Sequence, residues 1–175
     1  MSLLSWLAAL AVLGALALTA YAAWRGAPWL PTPRRAVDAG LAAASVQPGD
    51  VVFDLGAGDG RVLVAAARRG AAAVGYELSP FLWVVARFRT WRNRARVTVK
   101  LADGFRADLS AATVIFAFLR PRTMPRLAAA LARRRTQHPV RVLSYAFPLP
   151  GTPAAEVLRL PRCAPLYRYT VRHHG

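Results

Sequence analysis

The chain has 175 residues, enough for one domain, and carries 24 basic against 8 acidic side chains for a formal net charge of +16. That balance suits an anionic partner: nucleic acid, an anionic membrane surface or an acidic protein. The single Cys163 excludes an internal disulfide, and the scattered His138, His173 and His174 offer no metal-ligand spacing, the last two reading as a tail.

Residues 3–24 are uncharged and overwhelmingly apolar. As a helix they would reach ~33 Å at 1.5 Å per residue, enough for a hydrocarbon core of about 30 Å. Trp6, Tyr21 and Trp24 sit toward the ends, as interfacial aromatics do. Ala20-Tyr21-Ala22 resembles a signal-peptidase site, but no basic residue precedes the apolar run and the run is long for a signal sequence. The expectation is an uncleaved single-pass anchor over residues 1–25. With Arg25, Arg34 and Arg35 following it, the rest of the chain would be cytoplasmic. Residues 26–33 read as a Pro-rich linker, and residues 34–175 as the domain.

A helix over residues 34–45 leads into the turn Pro48-Gly49 and a short apolar strand, Val51-Val52-Phe53, that ends at Asp54. Then come Gly56, Ala57, Gly58, Asp59 and Gly60, and a helical pattern from Arg61. Strand, glycine loop and helix in this order bring backbone close to a ligand. A dinucleotide fold prefers G-x-G-x-x-G, whereas here the third glycine comes one residue early. The pattern resembles motif I of class I S-adenosylmethionine-dependent methyltransferases, although an ordinary tight turn also uses such glycines. A second apolar run ends in Glu77, 21 positions beyond Gly56, where a carboxylate can accept two ribose hydroxyls. A third strand, residues 97–101, runs into Asp103-Gly104-Phe105, an acid for an adenine amino group and a ring to pack on it. In so basic a chain, four of the eight acids (Asp54, Asp59, Glu77 and Asp103) stand at strand ends or in the glycine loop.

Ser79 and Pro80 start a helix to about Asn93, rich in Phe81, Leu82, Trp83, Val84, Val85, Phe88 and Trp91, for core or membrane packing. Residues 113–119 read as a central strand, 124–135 as a helix ending in three arginines, and 140–147 as a fifth strand. Two alternating segments, 155–160 and 166–172, close the chain. The fold class is α/β: a Rossmann-like seven-stranded methyltransferase sheet, mostly parallel with an antiparallel edge hairpin, preceded by one transmembrane helix.

The full pattern resembles a narrower family: the membrane-anchored protein-lysine methyltransferases of the adenine nucleotide translocase and ATP synthase c-subunit type, with their prokaryotic relatives. The matching segments are Pro31-Thr32-Pro33, Pro48-Gly49-Asp50, the stretch from Asp54 to Arg61, Gly75-Tyr76-Glu77-Leu78-Ser79-Pro80, Phe118-Leu119-Arg120-Pro121 with Met124-Pro125, and Ser144-Tyr145-Ala146-Phe147-Pro148. Ala57 stands where relatives often have a hydroxyl or thiol, and Ser79 where many have Asn. The resemblance implies S-adenosylmethionine as cofactor, held by Asp54, Gly56, Ala57, Gly58, Asp59, Gly60, Glu77, Asp103, Gly104 and Phe105. It implies methyl transfer to lysine of a membrane-associated protein. Thr32, Phe118, Tyr145 and Phe147 are the expected substrate pocket, apolar enough to depress a lysine pKa. No general base is assigned, and no metal is expected. Two alternatives remain: methylation of RNA or a lipid-like small molecule, and a non-catalytic membrane-tethered nucleoside-binding module.

Overall fold

The computed structural model describes residues 2–25, 30–136 and 138–172, with only the backbone described at 18, 19 and 21–25. Gly26–Trp29 of the expected linker and the His173-His174 tail lie outside the described residues. Seven strands form one sheet: β1 (Val51–Leu55), β2 (Ala72–Glu77), β3 (Val97–Leu101), β4 (Val114–Ala117), β5 (Val140–Tyr145), β6 (Glu156–Leu158) and β7 (Leu166–Val171). Their order is β3-β2-β1-β4-β5-β7-β6. The first five run parallel, and β7 pairs antiparallel with both β5 and β6. The closing pair is the expected antiparallel edge hairpin, with the later strand β7 inside against β5 and the earlier strand β6 at the rim.

Alternation along the strands feeds two cores. On one face Val52, Ala73, Val114, Phe116 and Leu143 pack with helices α2 (Arg34–Ala43), α3 (Arg61–Arg68) and α4 (Pro80–Thr90). On the other, Phe53, Leu55, Ile115 and Val142 pack with Leu127 and Leu131 of α5 (Met124–Ala132). Strands β1 and β4 are central and buried on both faces, which explains the apolar run Val51–Phe53 of β1 and the wholly apolar β4. From β1 the chain moves outward through β2 to β3, then returns to β4 on the other side. That reversal opens a crevice beyond the carboxyl ends of β1 and β4, the usual ligand position of an open α/β sheet.

Several element ends differ from expectation. Strand β1 continues through Asp54 to Leu55, while β4 stops at Ala117 and β5 at Tyr145, so Phe118 and Phe147 project from loops. Helix α2 stops at Ala43, short of Ser45, whose φ of 50° no α-helix accepts. Helix α5 ends at Ala132, short of the expected Arg135, so Arg134 lies beyond the helix and is not a helix-end cation. It is buried and donates to the carbonyls of Leu109, Ala112 and His138.

The N-terminal run forms helix α1 (Leu3–Arg25), which packs against α4. Among the described residues, however, no helix is long and apolar enough to cross a membrane. The expected transmembrane span is thus not shown, and Tyr21 and Trp24, its expected interfacial aromatics, have side chains outside the described set.

Candidate functional site: a cavity beyond β1 and β4

A cavity of about 370 Å³ opens in that crevice, and most of the sequence-predicted residues line it. Asp54 forms its floor. The residue is 4% exposed, and among the described residues no group donates a hydrogen bond to its carboxyl. Burial, then the charges of Glu77 and Asp59, push its pKa up to about 8. An uncompensated buried acid at the bottom of an open cavity is set for a cation or a donor-bearing ligand.

Glu77 ends β2 on the adjoining wall. Its Oε1 accepts from the Ser79 amide and its Oε2 from the Gly58 amide, each at 2.8 Å. Burial raises its pKa, and the amides of Ser79, Gly58 and Leu78 only partly offset this. With about four acceptor sites on a carboxylate, acceptor capacity remains beyond these amides. The glycine loop bends around the pair. Gly56 has φ of 104° and only the tip of Leu119 nearby, so its backbone faces open cavity. Gly60 has a different reason: at φ 78°, a Cβ there would press on Ala86 and Thr90 of α4.

Asp59 lines the cavity, but its carboxylate is engaged elsewhere. It takes Arg61 in a two-point grip and Arg89 at 2.8 Å. Burial would raise its pKa, yet the two arginines outweigh burial and hold it below the usual range. Arg61 then reaches the Thr32 carbonyl at 2.8 Å, fastening the segment before α2 over the cavity mouth. Sequence reasoning missed this role for Arg61, although its position directly after Gly60 pointed to it.

Asp103 faces the cavity with Oδ1 accepting from the Phe105 amide and Oδ2 paired with Arg126 at 2.9 Å. Arg126 also stacks 4.4 Å from the Phe105 ring centroid, stiffening the wall. Gly104 is needed for packing, since a Cβ there would meet Leu55 and Tyr76 at 3.0 and 3.1 Å.

Of the expected substrate-pocket residues, Thr32, Phe118 and Phe147 line the cavity and Tyr145 does not. Tyr145 lies behind, edge-on to Phe118 at 4.9 Å, with its hydroxyl accepting from the Ala164 amide. The cause is local. Ala146 sits at φ 72°, which turns the chain between the two rings and carries Phe147 alone into the cavity. The Ser144 hydroxyl holds this bend by donating to the Phe147 carbonyl. The apolar wall also includes Leu30, Pro31, Leu82 and Leu119, which sequence reasoning did not assign to the pocket.

Residues 54–156 match the family model described as the ANTKMT methyltransferase domain. The chain belongs to that methyltransferase family. A protein-lysine N-methyltransferase of Saccharolobus islandicus is 31% identical over 137 residues, covering 76% of this chain and 84% of the relative. The ATP synthase c-subunit lysine N-methyltransferase of Xenopus laevis is 37% identical over 103 residues, 58% of this chain and 45% of the relative. The chain spans about half the length of such vertebrate relatives. Among solved structures, an RNA methyltransferase from Salinibacter ruber in complex with S-adenosyl-L-homocysteine is similar at a TM-score of 0.78. It is 33% identical and covers 83% of this chain and 96% of that one.

For a methyltransferase of this family, S-adenosylmethionine is the cofactor the cavity fits. The unpartnered Asp54 suits the positive charge of its amino acid end, and Glu77 retains acceptor capacity for a diol. Asp103 and Phe105 stand together on the third wall, as the sequence predicts.

Proposed function

We propose that this protein is an S-adenosylmethionine-dependent methyltransferase acting on lysine side chains of a membrane-associated protein. The observation that carries the reading is a buried, unpartnered Asp54 facing an apolar, aromatic wall across one cavity. The first suits the charged end of the cofactor, and the second suits a neutral amine. The protein-lysine names of the relatives support lysine as acceptor.

When bound, S-adenosylmethionine supplies a methyl group already activated on a sulfonium. Asp54 and the backbone from Gly56 to Asp59 hold the amino acid end, with Ala57 and Gly58 at the turn, while the expected Gly60 lies outside the cavity lining and serves the packing of α4. Glu77 holds the ribose hydroxyls, and Asp103, Gly104 and Phe105 frame the adenine. Asp59 acts at one remove, fixing Arg61 and through it Thr32. Phe118, Phe147 and Leu119 exclude water from the entering lysine. Poor hydration depresses a lysine pKa from its reference of about 10.4, raising the fraction of reactive neutral amine. Alignment then contributes much of the rate.

Membrane attachment is part of the proposal, with α1 as an anchor and the domain on the cytoplasmic side. The uncharged sequence of residues 3–24 and the arginines after it support this. A second reading, RNA as acceptor, draws on the Salinibacter ruber neighbour and on Arg120 and Arg126 near the cavity mouth. Labelled-methyl transfer into membrane proteins, soluble proteins and RNA, with the acceptor located by mass spectrometry, separates the two. Label on lysine of a membrane-fraction protein supports the proposal; label in RNA alone overturns it.

A further inference from the structure

Helix α4 presents an apolar stripe to solvent. Phe81, Val84, Phe88 and Trp91 recur at spacings of three, four and three, which puts them on one helical face. All four are exposed, Phe88 by 85%, although α1 packs against the same helix. Helix packing therefore does not explain them, and the cavity does not use them.

The charge around the stripe is of one sign. Between Ser79 and Asp103 the sequence has six cations (Arg87, Arg89, Arg92, Arg94, Arg96 and Lys100) and no acid. Arg89 reaches back to Asp59. Arg87 and Arg94 instead lie over the rings of Trp83 and Trp91, at 5.2 and 4.8 Å, beside the stripe. Among the described residues neither pairs with a carboxylate. Apolar side chains flanked by arginines, with tryptophan at the border, are the pattern of a helix lying in a bilayer interface. An acidic protein groove would match the arginines, but it gives no reason for Phe88 to stand so far from its own fold.

We propose that α4 is a second membrane contact, which lays Phe81, Val84, Phe88 and Trp91 into the headgroup region of an anionic leaflet while Arg87, Arg92 and Arg94 meet lipid phosphates. The exposed apolar residues of α1, such as Leu10 and Leu13, continue the same kind of surface on its neighbour. An anchor alone leaves a domain free to rotate on its tether. Two contacts fix its orientation. Because α4 begins directly after Glu77 and Ser79, the contact also fixes where the cavity faces relative to the lipid.

This inference rests on the proposed attachment through α1, and the test separates the two. The full chain carries Cys163→Ser and either Phe88→Cys or, as a control on the opposite sheet edge, Val157→Cys, labelled with an environment-sensitive fluorophore. It is mixed with vesicles of phosphatidylcholine, with or without phosphatidylglycerol, and floated on a gradient. The expected result is flotation in both variants, with a blue shift at position 88 that grows with phosphatidylglycerol and no shift at position 157. Arg87→Gln and Arg92→Gln should each lower the docked-to-undocked ratio roughly fivefold, an effect that high salt mimics. Flotation with a water-exposed label at position 88 overturns the α4 contact and leaves the anchor standing. A blue shift without vesicles that depends on protein concentration also overturns it, by assigning the stripe to a second copy of the chain. Failure to float overturns both membrane readings and leaves the methyltransferase reading untouched.

Discussion

Asp54 makes the unliganded domain less stable as pH rises. In the unfolded chain its carboxyl ionises near 3.8, whereas in the fold it ionises at about 8. Below both values each state holds the proton and there is no cost. Between them the folded state binds more protons, so stability falls as pH rises, by about 1.4 kcal/mol per pH unit, and levels off above the folded value. From about pH 5.5 to 7.5 the loss from this one group is about 2–3 kcal/mol. For a domain of this size that lowers Tm by roughly 5–10 °C. Asp54→Asn is nearly isosteric and does not titrate. The measurement is a series of thermal melts of wild type and Asp54→Asn across that range, without ligand. The wild type should lose stability relative to the variant as pH rises, while titrating groups other than its coupled neighbours Glu77 and Asp59 cancel in the difference. Adding S-adenosylhomocysteine, which keeps the ammonium, should flatten the wild-type curve and not the variant's. Parallel curves for the two proteins would refute the assignment of Asp54 as a buried acid awaiting a cation.

Glu77→Gln should weaken binding of S-adenosylmethionine by about 2 kcal/mol or more in calorimetry, since a carboxylate with two hydroxyl partners becomes half amide. Tyr145→Phe should cost about 1 kcal/mol in denaturant unfolding by stranding the Ala164 amide, while leaving the methylation rate unchanged, because its ring still backs Phe118. Ala146→Gly should raise stability by up to about 1 kcal/mol, as glycine accepts φ of 72° without strain. Gly60→Ala should lose several kcal/mol of stability, read by the same unfolding curves, since it adds backbone strain to a collision with α4.

The cavity floor is legible in the sequence because each of these strands carries its ligand-facing acid at or just beyond its carboxyl end. Asp54, Glu77 and Asp103 read as three successive strand ends, and the structure brings all three to one cavity. The engagement of the Asp59 carboxylate is not legible, because its partner Arg89 arrives from α4, 30 positions on, and no local pattern announces that pairing. Tyr145 departs from expectation for another reason. Residues two apart share a face only while the strand continues, and the left-handed Ala146 breaks that rule between Tyr145 and Phe147. Arg134 reads as one of three cations at a helix end, because a buried guanidinium answering three carbonyls depends on loops that meet only in three dimensions.

The position of β7 between β5 and β6 has a consequence for the order of assembly. Every residue lining the cavity lies between Leu30 and Phe147, before β6 begins. The ligand-facing half of the domain is thus fully synthesised while the outer edge of β5 still has no neighbour. Strand β7 supplies that neighbour only when Leu166–Val171 emerges, a few seconds later at roughly 5–20 residues per second. Until then β5, largely apolar apart from Arg141 and Ser144, offers a row of unpaired backbone groups to any passing strand. The hazard of aggregation belongs to that interval, and in the finished sheet the outer edge at this side is the short β6 with the last three residues of β7.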